Sequence, residues 1–421
     1  VTWPLLLGGA SASFFAGLLV VGLGIGGGSL VLPLFIAFIG NDHAVPLVKV
    51  NSVAIAFAAL LVNIKRRHVT ADRPLINYDV ALLLEPMSVL GAMLGISLNV
   101  IVSTSSIRVA LTAALGIIFL GLVRKGIKQR KQETADFLAS SQAAPFLSPS
   151  ETKERKTSMK SRRTSWDKKT MGDQRYEMYV AARQISTEER RTPWGRIAAL
   201  TSAAAFCLFL NHASGGAMAV LCGSLRRRLV LLLSVLSLVM FSLVWARHLI
   251  EQSRHWAMLG VLEEKIYGDK ITWRRCSIAE WLLVGFIAGL GTGWTGISGG
   301  LLNGPLMILM GVCPLVAAAT SSFMMLFTCC SSILQFWMLD KLDPVLAGTF
   351  GACAFFGALL GQLGFVAILK RVKRQSYITW GLVIVILVSV ICEVISDSMT
   401  RADEEDLLGV EKACAIYLKQ L

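Results

Sequence analysis

Apolar runs of bilayer-crossing length constrain this chain more than any other feature. Residues 3–23, 45–64, 80–102, 197–225, 229–249, 315–339, 345–369 and 377–395 are each dominated by apolar side chains. About 20 apolar residues of helix span the hydrocarbon core. Length alone, 421 residues, would suggest two or three soluble domains. The hydropathy overrides that: 54% of residues are hydrophobic, 16% are charged and the mean hydropathy is +0.63, whereas a soluble domain carries about a quarter charged residues. The expected fold is an all-α polytopic membrane protein. Its location is an integral, multi-pass one in the lipid bilayer.

The formal net charge is +14. In a soluble protein that would raise nucleic acid as a partner. Here much of the excess sits in one loop, so membrane orientation and anionic head groups account for it, and no nucleic acid is expected. The nine cysteines all follow residue 200, with no CxxC pair and no zinc-ligand spacing. They read as small hydrophobes on packed helices. No metal and no cofactor is called for.

Five regions follow from the pattern. Residues 1–131 form a first transmembrane repeat. The chain turns polar and basic at Arg124, and 132–195 reads as a disordered loop, too poor in apolar residues to offset its ordering entropy. Residues 196–275 form a hydrophobic insert, 276–395 a second transmembrane repeat and 396–421 an acidic tail. The repeat shows in short matching stretches. "GIGGGSLVLP" at 24–33 answers "GISGGLLNGP" at 296–305, and "GAMLG" at 91–95 answers "GALLG" at 357–361. Each unit is expected to hold four spans and a glycine-broken, re-entrant-like helix. Charge does not decide between parallel and inverted copies. If the insert crosses twice, the basic clusters at 226–228 and 370–374 fall opposite those at 65–68 and 124–131; if once, they join them.

Broken backbone at membrane depth is tolerated only where protein buries it or a cavity adjoins it. In both copies a short apolar run, 29–39 or 301–311, follows the glycines at once. The first N–H groups of such a helix lack intrahelical partners and carry positive partial charge. Glycines let a ligand approach them. The pattern therefore suits a small oxyanion bound without a charged side chain. The alternative is close helix packing, which fits Gly91, Gly95, Gly357 and Gly361 better. The candidate substrate-binding residues are Gly26, Gly27, Gly28, Ser29, Asn51, Ser52, Ser298, Gly299, Gly300, Asn303, Thr320 and Ser321. Thr295 and Ser322 lie beside them. Lys49 is expected to snorkel to the nearby interface. Glu85, an intramembrane carboxylate, is a candidate proton relay, with a shallow interfacial position as the alternative. No GxxxxGK[ST] loop is present, so transport would run on a gradient.

The stretches "GLGIGGGSLVLPL", "HAVPLVKVNSVAIAF", "RPLINYDVALLLEPM" and "GISGGLLNGPLMILMGVCPLVAAATSSFMM" resemble the sulfite exporter TauE/SafE family, in its plant-like eukaryotic branch. The likeness covers roughly residues 14–128 and 284–390. It implies a transporter of sulfur-containing or other small organic anions with two homologous halves. The family's glycine motif falls on Gly24, Gly26, Gly27, Gly28 and Pro33, and on Gly296, Gly299, Gly300 and Pro305. Ser298 replaces the glycine of the first copy. Glu85 stands where that branch has a neutral residue. The expected function is a secondary transporter of sulfite or a related anion, driven by an ion gradient. An anion channel, or a membrane scaffold or receptor presenting the basic loop, are the alternatives; an enzyme is not expected.

Overall fold

The protein is described from a computed structural model covering residues 3–39, 41–68, 73–101, 104–143, 193–214, 225–258, 271, 273–295, 297–338, 340–372 and 376–400. Among these the regular structure is helical: α1 (Trp3–Val20), α2 (Gly28–Ile39), α3 (Asn41–Asn63), α4 (Tyr78–Ile101), α5 (Thr104–Ala143), α6 (Trp194–Ser214), α7 (Leu225–Met258), α8 (Arg275–Thr295), α9 (Gly300–Leu309), α10 (Pro314–Met338), α11 (Pro344–Val372) and α12 (Ser376–Thr400). Seven of the described helices are long and apolar enough to cross a membrane. This is an all-α, polytopic architecture.

The chain turns back after each glycine cluster. A 3-10 turn, Val21–Leu23, ends α1, and Gly24, Gly26 and Gly27 take positive φ of 73°, 78° and 70°. An L side chain is strained there. Through them α2 reverses onto α1: Leu6 and Ala10 of α1 pack in one cluster with Val31, Leu32 and Phe35 of α2. The α8–α9 break has no positive-φ glycine among its described residues, with Gly299 at φ −55°, and α9 runs back along α10, with Gly299 beside Thr328 and Gly304 beside Ser321.

Side-chain register fixes the helix directions. Gly9, Gly17 and Gly22 of α1 face Phe350, Ala354 and Phe365, so α11 runs parallel to α1. Gly285, Gly289 and Gly293 of α8 face Leu84, Ser88 and Ala92, so α8 runs parallel to α4. In these two seams glycines of one helix lie on backbone carbonyls of the other: Gly91 on Phe286, Gly95 on Leu290, Gly357 on Phe14, Gly361 on Leu18. A Cβ at any of them would occupy its partner's backbone, the packing expected of small-xxx-small seams. α4 returns from α3 through a tight loop in which His68 N–H donates to Arg73 O at 2.9 Å and Leu75 N–H to Arg66 O at 3.0 Å. α5 and α12 are antiparallel: the Glu133 carboxylate accepts from Ser376 N–H at 3.0 Å, and Gln129 Oε1 from Thr379 Oγ1 at 2.9 Å. So α1, α4 and α5 run opposite, respectively, to α8, α11 and α12, which follow in the same order in the second set.

The re-entrant turn also sorts the charges. Each set ends at the opposite end of the bundle from its start, and α6 and α7 cross and return. Arg196, at the start of α6, pairs with Asp79 at 2.7 Å, and Trp245 Nε1 of α7 donates to Asp79 O at 3.3 Å. The 64–77 loop, the polar end of α5 and Arg371 therefore share one end; Arg226 and Arg228 lie at the other. A double crossing with Arg371 beside the polar end of α5 is a combination that span counting without a turn-back does not produce.

Residues 132–143, expected to be disordered, continue α5 as helix to Ala143. The cause is tertiary. The Glu133 carboxylate satisfies both the N–H and, at 2.6 Å, the hydroxyl of Ser376, capping α12. Residues 144–192, most of the basic loop, and 401–421, most of the acidic tail, lie outside the described residues, as does Gly296.

Candidate functional site

The two glycine breaks press against each other near the middle of the bundle. A Cβ on Gly300 would fall on the Gly24 carbonyl oxygen, and one on Gly24 on the backbone of Ala318. A Cβ on Gly26 would strike the Met325 sulfur, and one on Gly28 would lie 3.0 Å from the Ser298 nitrogen. The glycines of the first break thus admit protein atoms in this arrangement.

Three consecutive carbonyls of that break meet serine hydroxyls. Ser321 Oγ donates to Gly24 O at 3.0 Å, Ser298 Oγ donates to Ile25 O, and Ser52 Oγ lies 3.2 Å from Gly26 O while donating to Val48 O at 2.8 Å. All three serines are buried. Every donor is a neutral hydroxyl, so the backbone that left its helix is satisfied with no net charge.

The second break is held by a cation. Lys49 Nζ donates to Thr292 O at 3.0 Å and Ile297 O at 2.5 Å. The residue is 1% exposed. The expected snorkelling does not occur: Lys49 points inward to the carbonyls that end α8, where the helix macrodipole is negative. On the same side lies a carboxyl. Glu85, also 1% exposed, accepts from Thr328 Oγ1 at 2.6 Å through Oε1, while its Oε2 has no hydrogen-bond partner. It is deep, not shallow, because α4 is sheathed by α8, α10 and α7. One turn further, Ser88 Oγ accepts from Asn303 Nδ2 at 3.4 Å. Cys329 is within electrostatic reach of both Lys49 and Glu85.

Gly299 differs from its neighbours. The nearest atoms to a Cβ there are Asn303 Nδ2 at 3.8 Å and Thr328 Cβ at 3.9 Å. So a methyl at Gly299 would make only ordinary van der Waals contact with Asn303 and with Thr328, the residue that donates to Glu85. Two expected residues point elsewhere. Thr320 Oγ1 accepts from Asn77 N–H at 3.0 Å, tying α10 to the loop before α4. Asn51 Nδ2 donates to Ser13 Oγ at 2.9 Å, with Oδ1 unpartnered. Thr295 and Ser322 bond back to their own helices. The Ser29 side chain lies outside the described residues. Sequence reasoning missed Thr328 and Ser88, whose only signal was a hydroxyl inside an apolar helix.

The chain matches the sulfite exporter TauE/SafE family over residues 9–166 and 180–392. It belongs to that family. Paired glycine breaks carried by a multi-pass helical bundle fit a family of membrane transporters, not of enzymes. Among its relatives in Arabidopsis thaliana, sulfite exporter TauE/SafE family protein 3 is 26% identical over 98% of this chain and 83% of its own length. Family protein 5 is 25% identical over 87% of this chain and 78% of its own. No solved structure matches.

Proposed function

We propose that this TauE/SafE protein is a secondary transporter that moves a small anion, sulfite or another sulfur-containing or organic anion, across its membrane on an ion gradient. The observation that carries this reading is the buried Lys49 ammonium at the second break. An ammonium at 1% exposure would cost several kcal/mol to bury, and an ionisable group at membrane depth is kept where it has a function. The same break carries the N-terminal amides of α9, donors suited to an oxyanion, with Asn303, whose amide now donates to Ser88, close by. Gly299, Gly300, Ser298 and Asn303 form the binding side. Gly26, Gly27, Gly28, Ser52 and Ser321 form the opposing face, and parting the two breaks would bare both helix N-termini. Asn51 and Thr320 support the frame around them. The opposite running of the two helix sets supports alternating access about a central site. The end bearing 64–77, the α5 extension and Arg371 is the cytoplasmic one by its basic excess.

The test is uptake of radiolabelled sulfite, sulfate, thiosulfate and taurine into proteoliposomes, with and without a pH gradient, for wild type and Lys49→Met. Saturable flux of one of these anions, reduced at least tenfold in the variant at equal incorporation, is expected. Absence of flux for all four would overturn the transporter reading. Flux indifferent to Lys49 would move the site away from the breaks.

A further inference from the structure

We infer that Glu85 carries the coupling proton, and that substrate anion and proton bind together at the second break, making the carrier a proton–anion symporter. This rests on the anion reading above and names its driving ion.

The argument begins with the unpartnered oxygen. Glu85 Oε1 takes the Thr328 hydroxyl at 2.6 Å, but Oε2 is buried with no partner. An ionised carboxylate needs donors at both oxygens, and leaving one bare in a low-dielectric interior is costly. A protonated carboxyl is neutral and loses far less there. Glu85 therefore sits where a proton changes the energy most.

The groups facing it set the direction of coupling. From α10 come Thr328, which donates to it, and Cys329 and Cys330 within electrostatic reach; Lys49 of α3 reaches Cys329 in turn, and Asn303 of α9 bonds Ser88 one turn along α4. An anion held by the α9 amides and Asn303 would stand beside Thr328, which carries the bond to this carboxyl. Two negative charges cannot share so small a dry site. The anion enters when Glu85 is protonated, and its presence raises the affinity for that proton; linkage makes the effect reciprocal. The step is a proton transfer from water to Glu85 Oε2 on the loading side and its return to water on the other. No bond of the substrate changes.

The experiment measures sulfite and sulfate affinity of the purified full chain across pH, for wild type, Glu85→Gln and Glu85→Asp. Sulfate serves as the probe with no titration of its own in the range. In wild type, affinity should rise up to about tenfold per unit fall in pH, as one linked proton requires. Glu85→Gln, fixed neutral, should bind with no such dependence and lose pH-gradient-driven accumulation. Glu85→Asp should restore the slope. Adding anion to wild type in weak buffer should take up protons, a readout that needs no variant. A wild-type slope that persists in Glu85→Gln, or no proton uptake on binding, would overturn the proposal. If wild type binds and transports no anion at all, the transporter reading itself falls.

Discussion

The two breaks are built from the same motif and are held in opposite ways. Gly24 to Gly26 offer three carbonyls, and three neutral serine hydroxyls from other segments face them. The second break offers Thr292 O and Ile297 O, and a single ammonium takes both. The first is crowded: its glycines abut Ala318, Met325, Val48 and Ser298. The second has space at Gly299 and an unsatisfied carboxyl oxygen nearby. A shared backbone design has thus been divided between a packed, neutral half and a charged half with room. On the proposed reading the second is the half that binds the anion. The division lies outside the glycines, on α3, α4 and α10.

The largest expected effect breaks the contact between the halves. Gly300→Val puts atoms where the Gly24 carbonyl stands and should cost about 3 kcal/mol or more, read as loss of folded protein in thermal unfolding in detergent. Lys49→Met leaves two buried carbonyls without a donor. It should destabilise by roughly 1–3 kcal/mol, an effect softened because a buried charge is also removed, while anion flux falls at least tenfold. Stability lost with flux retained would mean that the cation is only a helix cap. Thr328→Val strips the donor from Glu85 Oε1 and should cost about 1–2 kcal/mol; ionised Glu85 loses more than protonated Glu85, so the loss should grow as pH rises. Ser298→Ala removes one neutral bond to the first break and should cost about 1 kcal/mol with little change in ion dependence. Gly299→Ala should be the mildest for stability, within about 0.5 kcal/mol, because its Cβ meets nothing nearer than 3.8 Å. Its effect should show as weakened anion binding. If Gly299→Ala unfolds the protein while Gly300→Val does not, the assignment of packed and roomy halves is reversed.

Much of this could be read along the chain. The apolar runs became helices because their length and composition admit little else in lipid. The first glycine cluster became a break because Gly24, Gly26 and Gly27 hold positive φ. The seams at Gly91 and Gly95, and at Gly357 and Gly361, were visible as spacing. The α5 extension was not, because its polar residues look like loop until Glu133 finds Ser376.

What the sequence determined by itself is local: which segments are helical and apolar, where the backbone cannot continue, and that the pattern occurs twice. These depend on the side chains within a turn or two. What only the tertiary structure decided is the turn-back of α2, which sets the helix directions, and the placing of the charges. Lys49 to Thr292 and Glu85 to Thr328 each join residues 243 positions apart. Neither partner leaves a mark in the other's neighbourhood. A lysine near a helix start looks interfacial, and a glutamate soon after Asp79 looks shallow, until neighbouring helices close over them. Burial is a property of the bundle, and so is the chemistry that depends on it.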